Sequence, residues 1–313
     1  MPRQASEPER VLQRLDWTII RRLDGLLQGD YRTVFRGFGT ELAELREYQL
    51  TDDVRTIDWN VTARMQTPYV RQYVEDREVT AWFLLDMSPS VDFGSAQVQK
   101  RSLLIDFVGV IARLLTRHGN RVGALLFTGG TQRVIPAQGG RTHVLQLIQE
   151  LQSQPRLHCA PRTDLGVLLD GALQMIRRRG LLFLVSDFMS VPGWDRSLIL
   201  ATRRHEVIAV KLSDPREVQL PDLGPLVLED AETGEQIFVD THDRGFRKRF
   251  AEVTRRRDAE LAGSLARAGI DQLSLSTEGD LAREIVHFAA MRREKRKAST
   301  ARALARPGAV GGG

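Results

Sequence analysis

Asp86-Met87-Ser88-Pro89-Ser90 places one carboxylate and two hydroxyls directly after the apolar run Val79-Thr80-Ala81-Trp82-Phe83-Leu84-Leu85. That run reads as a strand buried on both faces. Hard oxygen donors at the carboxyl end of a parallel strand suit a small divalent cation such as Mg²⁺, with Mn²⁺ or Ca²⁺ as alternatives, because these ions take carboxylate, hydroxyl and water oxygens. Downstream, Thr163-Asp164 opens a helical pattern and Asp187 closes a second apolar run, Leu181 to Ser186. In a doubly wound sheet, ligands gather beyond the carboxyl ends of strands where the strand order reverses, so distant residues can meet there. Each residue also has a plainer use. Ser88, Ser90 and Thr163 could cap helices, and Asp187 could sit in a turn.

The set Asp86-x-Ser88-x-Ser90, Thr163 and Asp187 resembles the metal-ion-dependent adhesion site of von Willebrand factor A domains. The preceding segment adds Gly37-Phe38-Gly39-Thr40-Glu41, Leu45-Arg46-Glu47-Tyr48, and Asp52-Asp53-x-Arg55-x-Ile57-Asp58-Trp59-Asn60-x-x-Ala63-Arg64, continuing through Glu75 to Glu78. With it, the chain resembles the bacterial family called domain of unknown function 58. The resemblance implies a von Willebrand A-like fold. It also implies a divalent cation held by Asp86, Ser88, Ser90, Thr163 and Asp187, with one position left for a partner's Glu or Asp. Members of that family are linked with MoxR-type AAA+ ATPases, so the implied role is that of an adaptor or co-chaperone. Two departures stand out: Leu50-Thr51 replaces the family's Pro-Gly turn, and Pro89 lies inside the metal loop. Neither removes an oxygen donor.

The elements that must position these residues alternate. Glu7 to Gln28 carries apolar residues at helical spacing, and Tyr31 to Glu78 is irregular. After the Asp86 strand come a helix around Leu103 to Leu115, a strand Val122 to Phe127, a short edge strand Gln132 to Pro136 and a helix Val144 to Leu151. Further on, the pattern gives helices over Asp164 to Arg178, Trp194 to Arg203 and Leu281 to Met291, and strands at Val207 to Val210 and Leu273 to Leu275. The predicted fold is α/β, a doubly wound, mostly parallel sheet of Rossmann type. Leu226 to Val239, two apolar runs around a Gly-bearing turn, reads as a projecting hairpin inserted at about 224–241. The implied division is an N-terminal helix and signature segment over 1–77, the von Willebrand A-like domain over 78–290, and a tail over 291–313.

At 313 residues and 42% hydrophobic, the chain can bury a large core. No apolar run reaches the roughly 18 residues needed to cross a bilayer, and the polar start lacks a signal-peptide pattern, so the sequence predicts a cytoplasmic protein with no membrane span. The single Cys159 excludes an internal disulfide or a Cys-rich metal cluster. The formal charge of +5 sits at the end: Arg292, Arg293, Lys295, Arg296, Lys297, Arg302 and Arg306 face only Glu294 over 291–313. This stretch reads as a solvated disordered tail rather than a nucleic-acid contact. Arg101, Arg141 and His143 read as helix-surface residues rather than phosphate ligands.

Catalysis is a weaker reading. Asp86 could be a phosphoryl-transfer nucleophile near Mg²⁺, but the second carboxylate such phosphatases carry two positions later is replaced by Ser88. No phosphate loop, dinucleotide fingerprint or nucleophile elbow follows a strand. The remaining alternative is a metal-independent structural assembly factor that binds through the Leu226 to Val239 hairpin and the first helix.

Overall fold

The computed structural model of the chain describes residues 6–23, 44–49, 54, 57–72, 79–95, 98–157 and 160–304. Strand β3 (Thr80–Asp86) is central because Ala81, Phe83, Leu84 and Leu85 have no polar face to offer water, and all four are fully buried. It pairs in parallel with β4 (Arg121–Thr128) on one side and β6 (Leu181–Ser186) on the other. Beyond β6 come β7 (Glu206–Ser213) and β10 (Asp271–Ser276), both parallel. The opposite edge is β5 (Thr131–Gln138), antiparallel to β4. A two-residue turn forces that reversal: Gly129 and Gly130 both hold positive φ, +56° and +108°, which a tight hairpin requires and side chains resist.

The sheet order is therefore β10-β7-β6-β3-β4-β5. The chain runs outward from β3 to β5, returns to β6 and runs outward the other way, so the order reverses between β3 and β6. This is the doubly wound, mostly parallel sheet that the sequence predicts.

Two apolar layers cover it. On one face lie helix α1 (Glu7–Leu15) with its π-helical continuation Asp16–Ile20, α3 (Lys100–Thr116), α4 (Arg141–Gln152) and α9 (Leu281–Leu304); between α1 and α3 comes the short α2 (Trp59–Met65). Leu12, Leu15, Phe107, Ile148 and Phe288 fill this layer. At its centre Phe83 stacks on Phe183 with ring centroids 5.2 Å apart, and Phe107 meets both edge-on. On the other face lie α5 (Leu165–Met175), α6 (Trp194–Arg204) and the end of α8 (Arg244–Arg267), through Leu168, Leu198 and Leu265. A short helix α7 (Pro215–Val218) follows β7.

Beside the main sheet, β1 (Glu44–Glu47) pairs antiparallel with β2 (Tyr69–Gln72), and α2 joins them. Asp58 is buried there and accepts the Val61 N–H, while Trp59 is exposed rather than packed. The signature residues Gly37 to Glu41, Leu50 to Asp53, Arg55 and Glu75 to Glu78 lie outside the described residues, as do His158 and Cys159. The hairpin of β8 (Pro225–Glu229) and β9 (Gln236–Asp240) is present at the predicted place.

One expectation is corrected. The stretch after residue 291 was predicted to be disordered, yet α9 runs on to Leu304. Arg292 is buried and ion-paired with Glu206 and Asp271, and Lys295 reaches Asp271 at 2.8 Å, so two of the basic residues anchor the helix three positions apart. Residues 305–313 lie outside the described residues.

Candidate functional site

Asp86 ends β3 at the reversal of strand order and is fully buried. Its Oδ1 accepts the Ser88 N–H at 3.0 Å, and its Oδ2 accepts the Ser186 hydroxyl at 2.7 Å across the β3–β6 pair. Burial, then the charge of Asp187, pushes its pKa up to about 6; the bonds from Ser186 and Ser88 oppose this. The Asp187 carboxylate thus lies near enough for its charge to weigh on Asp86.

Ser88 precedes a 3₁₀ turn, Pro89–Asp92, but its hydroxyl caps nothing. Instead the Ser88 and Ser90 hydroxyls lie 3.0 Å apart. The capping alternative therefore does not account for either. Arg101 and Asp92 brace this loop through an ion pair of 2.6 Å, and Arg101 also donates to the Gln154 carbonyl at 3.1 Å. Arg101 and His143 are buried, with His143 Nε2 2.8 Å from the Val122 carbonyl, so neither is the surface residue the sequence predicts.

Asp187 follows β6. One oxygen accepts the Met189 N–H at 2.9 Å in a tight turn, and the next residue, Phe188, holds a left-handed backbone with φ +59°, a strained choice for an aromatic residue. The other oxygen accepts from the Lys100 ammonium at 2.8 Å, which also donates to Glu217 at 2.6 Å. Lys100 opens α3 and is fully buried. Burial works against its charge, but Asp187 and Glu217 outweigh this and hold its pKa above the ordinary value. The protein thus carries its own cation beside Asp187.

Thr163 and Asp164 divide their tasks. Asp164 caps α5, accepting from the Gly166 and Val167 N–H groups, which leaves Thr163 free of that duty. Thr163 is fully buried; its hydroxyl donates to Glu232 Oε1 at 2.5 Å and its N–H to Glu232 Oε2 at 3.0 Å. Glu232 belongs to the turn of the β8–β9 hairpin. Its backbone carbonyl also accepts the Ala160 N–H at 3.1 Å, so the hairpin does not project freely but sets its turn against the Thr163 loop. The Thr163 carbonyl accepts from Val191 at 2.9 Å and the Leu165 N–H donates to Ser190 at 3.0 Å, tying this loop to the one that follows Asp187.

The structure thus joins the predicted residues in two linked groups. Asp86, Ser88, Ser90 and Asp187 cluster at the ends of β3 and β6, and Thr163 lies on the loop clasped to the Asp187 loop. Ser90, Ser190 and Glu232 line one cavity of about 550 Å³. Sequence reading missed Lys100, Ser186, Glu217 and Glu232. Of these, only Ser186, beside Asp187 at a strand end, had a local signal. Among the described residues no group of three or more His, Cys, Asp or Glu side chains could hold a metal, so a cation here would depend on hydroxyl oxygens. The donors suit that: Asp86, Ser88, Ser90 and Thr163 are all hard oxygens with lone pairs beyond those their hydrogen bonds use.

The family described as "Protein of unknown function DUF58" matches residues 44–260. Two relatives, Uncharacterized protein Rv1480 of Mycobacterium tuberculosis H37Rv and Uncharacterized protein Mb1516 of Mycobacterium bovis, are each 40% identical over 283 residues, 90% of this chain and 89% of theirs. Among solved structures, an aerotolerance-related membrane protein from Bacteroides fragilis is 13% identical and aligns over 69% of this chain and 99% of its own, with a TM-score of 0.45. The SpRpn10 VWA domain is 9% identical over 66% of this chain and 93% of its own, with a TM-score of 0.37. At these scores neither adds to the topology described above. No helix among the described residues is long and apolar enough to cross a membrane.

Proposed function

On the premise that the chain belongs to the DUF58 family, we propose that it is a divalent-metal-dependent protein-binding module rather than an enzyme. The observation that carries this reading is Asp86: a fully buried carboxylate at the switch point, hydrogen-bonded by Ser88 and Ser186, with the charge of Asp187 raising its pKa and the Ser88–Ser90 hydroxyl pair on the loop that follows it. A divalent ion would relieve that repulsion and exchange an unfavourable burial for ligation. Asp86, Ser88, Ser90 and Thr163 would hold it, with Asp187 beside them. When bound, the ion supplies an electrophilic position for a partner's Glu or Asp. The protein's own residues orient it: Ser186 and the Ser88 N–H fix the Asp86 carboxylate, and Arg101 fixes the loop. From the family resemblance, the partner in this proposal is a MoxR-type AAA+ ATPase, and the protein acts in the cytoplasm as its adaptor.

A second reading has its own support. Lys100 already pairs with Asp187 and Glu217, and the hairpin exposes Phe238, Ile237 and Val227, which suits a metal-independent assembly factor. Phosphoryl transfer has less support, because Asp86 is fully buried, with both oxygens engaged.

Binding of a purified MoxR-type ATPase, measured with Mg²⁺ and with EDTA, separates the readings. The first predicts binding lost in EDTA and in Ser88→Ala while folding is kept. Binding unchanged by both would leave the metal-independent reading.

A further inference from the structure

The Glu232 carboxylate lies on Thr163, the predicted ligand that the loop before α5 supplies. Both its oxygens are engaged, one by the Thr163 hydroxyl and one by the Thr163 N–H, and the residue is 9% exposed. The turn is built to present it: Asp230 accepts the Glu232 and Thr233 N–H groups, each at 2.9 Å, and Gly234 takes the positive φ of +71° that closes the loop. The neighbouring Glu229 and Glu235 are exposed, and Glu229 accepts from the Gln236 side chain at 2.7 Å on the hairpin itself. One glutamate of three is therefore turned inward, onto a buried hydroxyl.

Beneath the hairpin lies the cavity of about 550 Å³, whose apolar walls include Phe93, Leu220, Leu228 and Phe250. The exposed Arg162, Arg216 and Arg257 line it as well, with Glu217, Glu229 and Asp230 beside Glu232. Glu217 is held by Lys100, so once Glu232 leaves, the three arginines face only Glu229 and Asp230, and with the apolar walls this suits an acidic segment that carries an apolar side chain.

We infer that Glu232 is an internal ligand that closes the site, and that the external ligand is an acidic peptide segment whose carboxylate displaces Glu232 from Thr163 while an adjacent apolar side chain enters the cavity under the hairpin. This deepens the proposed function and rests on it only for the part the cation plays. The hairpin anchors its tip by this clasp and by the Ala160 N–H, so losing the carboxylate frees the turn.

The test uses the full chain, Glu232→Gln as the isosteric variant and Glu235→Gln as the control. Without metal, amide exchange over 225–240 accelerates by about tenfold in Glu232→Gln and not in Glu235→Gln, with β3 and β6 unchanged in both. A labelled peptide of residues 228–235, added with Mn²⁺, binds Glu232→Gln about tenfold more tightly than wild type, and the same peptide with Gln in place of Glu232 shows no such gain. Hairpin exchange equal to wild type overturns the internal ligand, whatever the metal does. Faster exchange with no gain in peptide affinity overturns the acidic external ligand. A gain that persists undiminished in EDTA upholds the inference and overturns the metal's role in the proposed function.

Discussion

Two aspartates stand at the carboxyl ends of parallel strands, Asp86 at the end of β3 and Asp214 just past β7, and both are fully buried. Their surroundings differ. Burial opposes the charge of Asp214, but it accepts the Ser95 N–H and hydroxyl, the Thr277 hydroxyl and the Arg216 N–H, and together these hold its pKa below the usual range. Asp86 has donors from Ser186 and Ser88 alone and the charge of Asp187 nearby, and burial prevails, raising its pKa to about 6. The first arrangement is complete as it stands and binds the 93–95 loop to the sheet. The second holds a charge that the protein's own groups do not balance, the kind of imbalance found at functional sites.

Removing the satisfied partner produces the largest effect. Asp214→Ala orphans two N–H groups and two hydroxyls, so stability falls by roughly 3 kcal/mol or more, read from the denaturant midpoint. Asp86→Asn acts in the opposite direction: with the buried charge gone, the metal-free protein gains on the order of 1–3 kcal/mol at pH 7. A loss of stability there would erase the contrast.

Acidification sharpens it. Asp86 has a raised pKa, so between the unfolded value near 3.9 and the folded value near 6 the native state binds more protons, and stability falls as pH rises through that window. The advantage of Asp86→Asn over wild type therefore shrinks from pH 7 and is gone by about pH 4. Asp214 has the opposite sign: its contribution is full above the unfolded value and is lost as pH falls through its depressed one. Urea midpoints measured from pH 7 to pH 3 for wild type and both variants distinguish the two patterns. The smallest effect belongs to Ser88→Ala, which removes a hydroxyl that caps nothing and costs less than about 1 kcal/mol without metal.

The central strands were legible because Phe83 to Leu85 and Leu181 to Val185 are apolar without interruption, as only doubly covered strands can be. Asp86-x-Ser88-x-Ser90 was legible because its donors are adjacent in sequence. Glu232, Lys100 and Glu217 were not, since each reaches the site from a separate element and reads locally as an ordinary charged residue of a turn or helix start. The same blindness affected α9, where Arg292 and Lys295 counted as loose positive charge until Asp271 and Glu206 appeared opposite them. At Thr163-Asp164 the sequence left capping and ligation in competition. The structure gives the cap to Asp164 and leaves Thr163 to Glu232.

The most direct test of the cation proposal is crystallographic: anomalous scattering from crystals of the full chain grown with Mn²⁺. The account predicts one peak bounded by Asp86, Ser88, Ser90 and Thr163, absent in Asp86→Asn. A wild-type map with no peak there, or one in which Mn²⁺ sits away from Asp86, would contradict it.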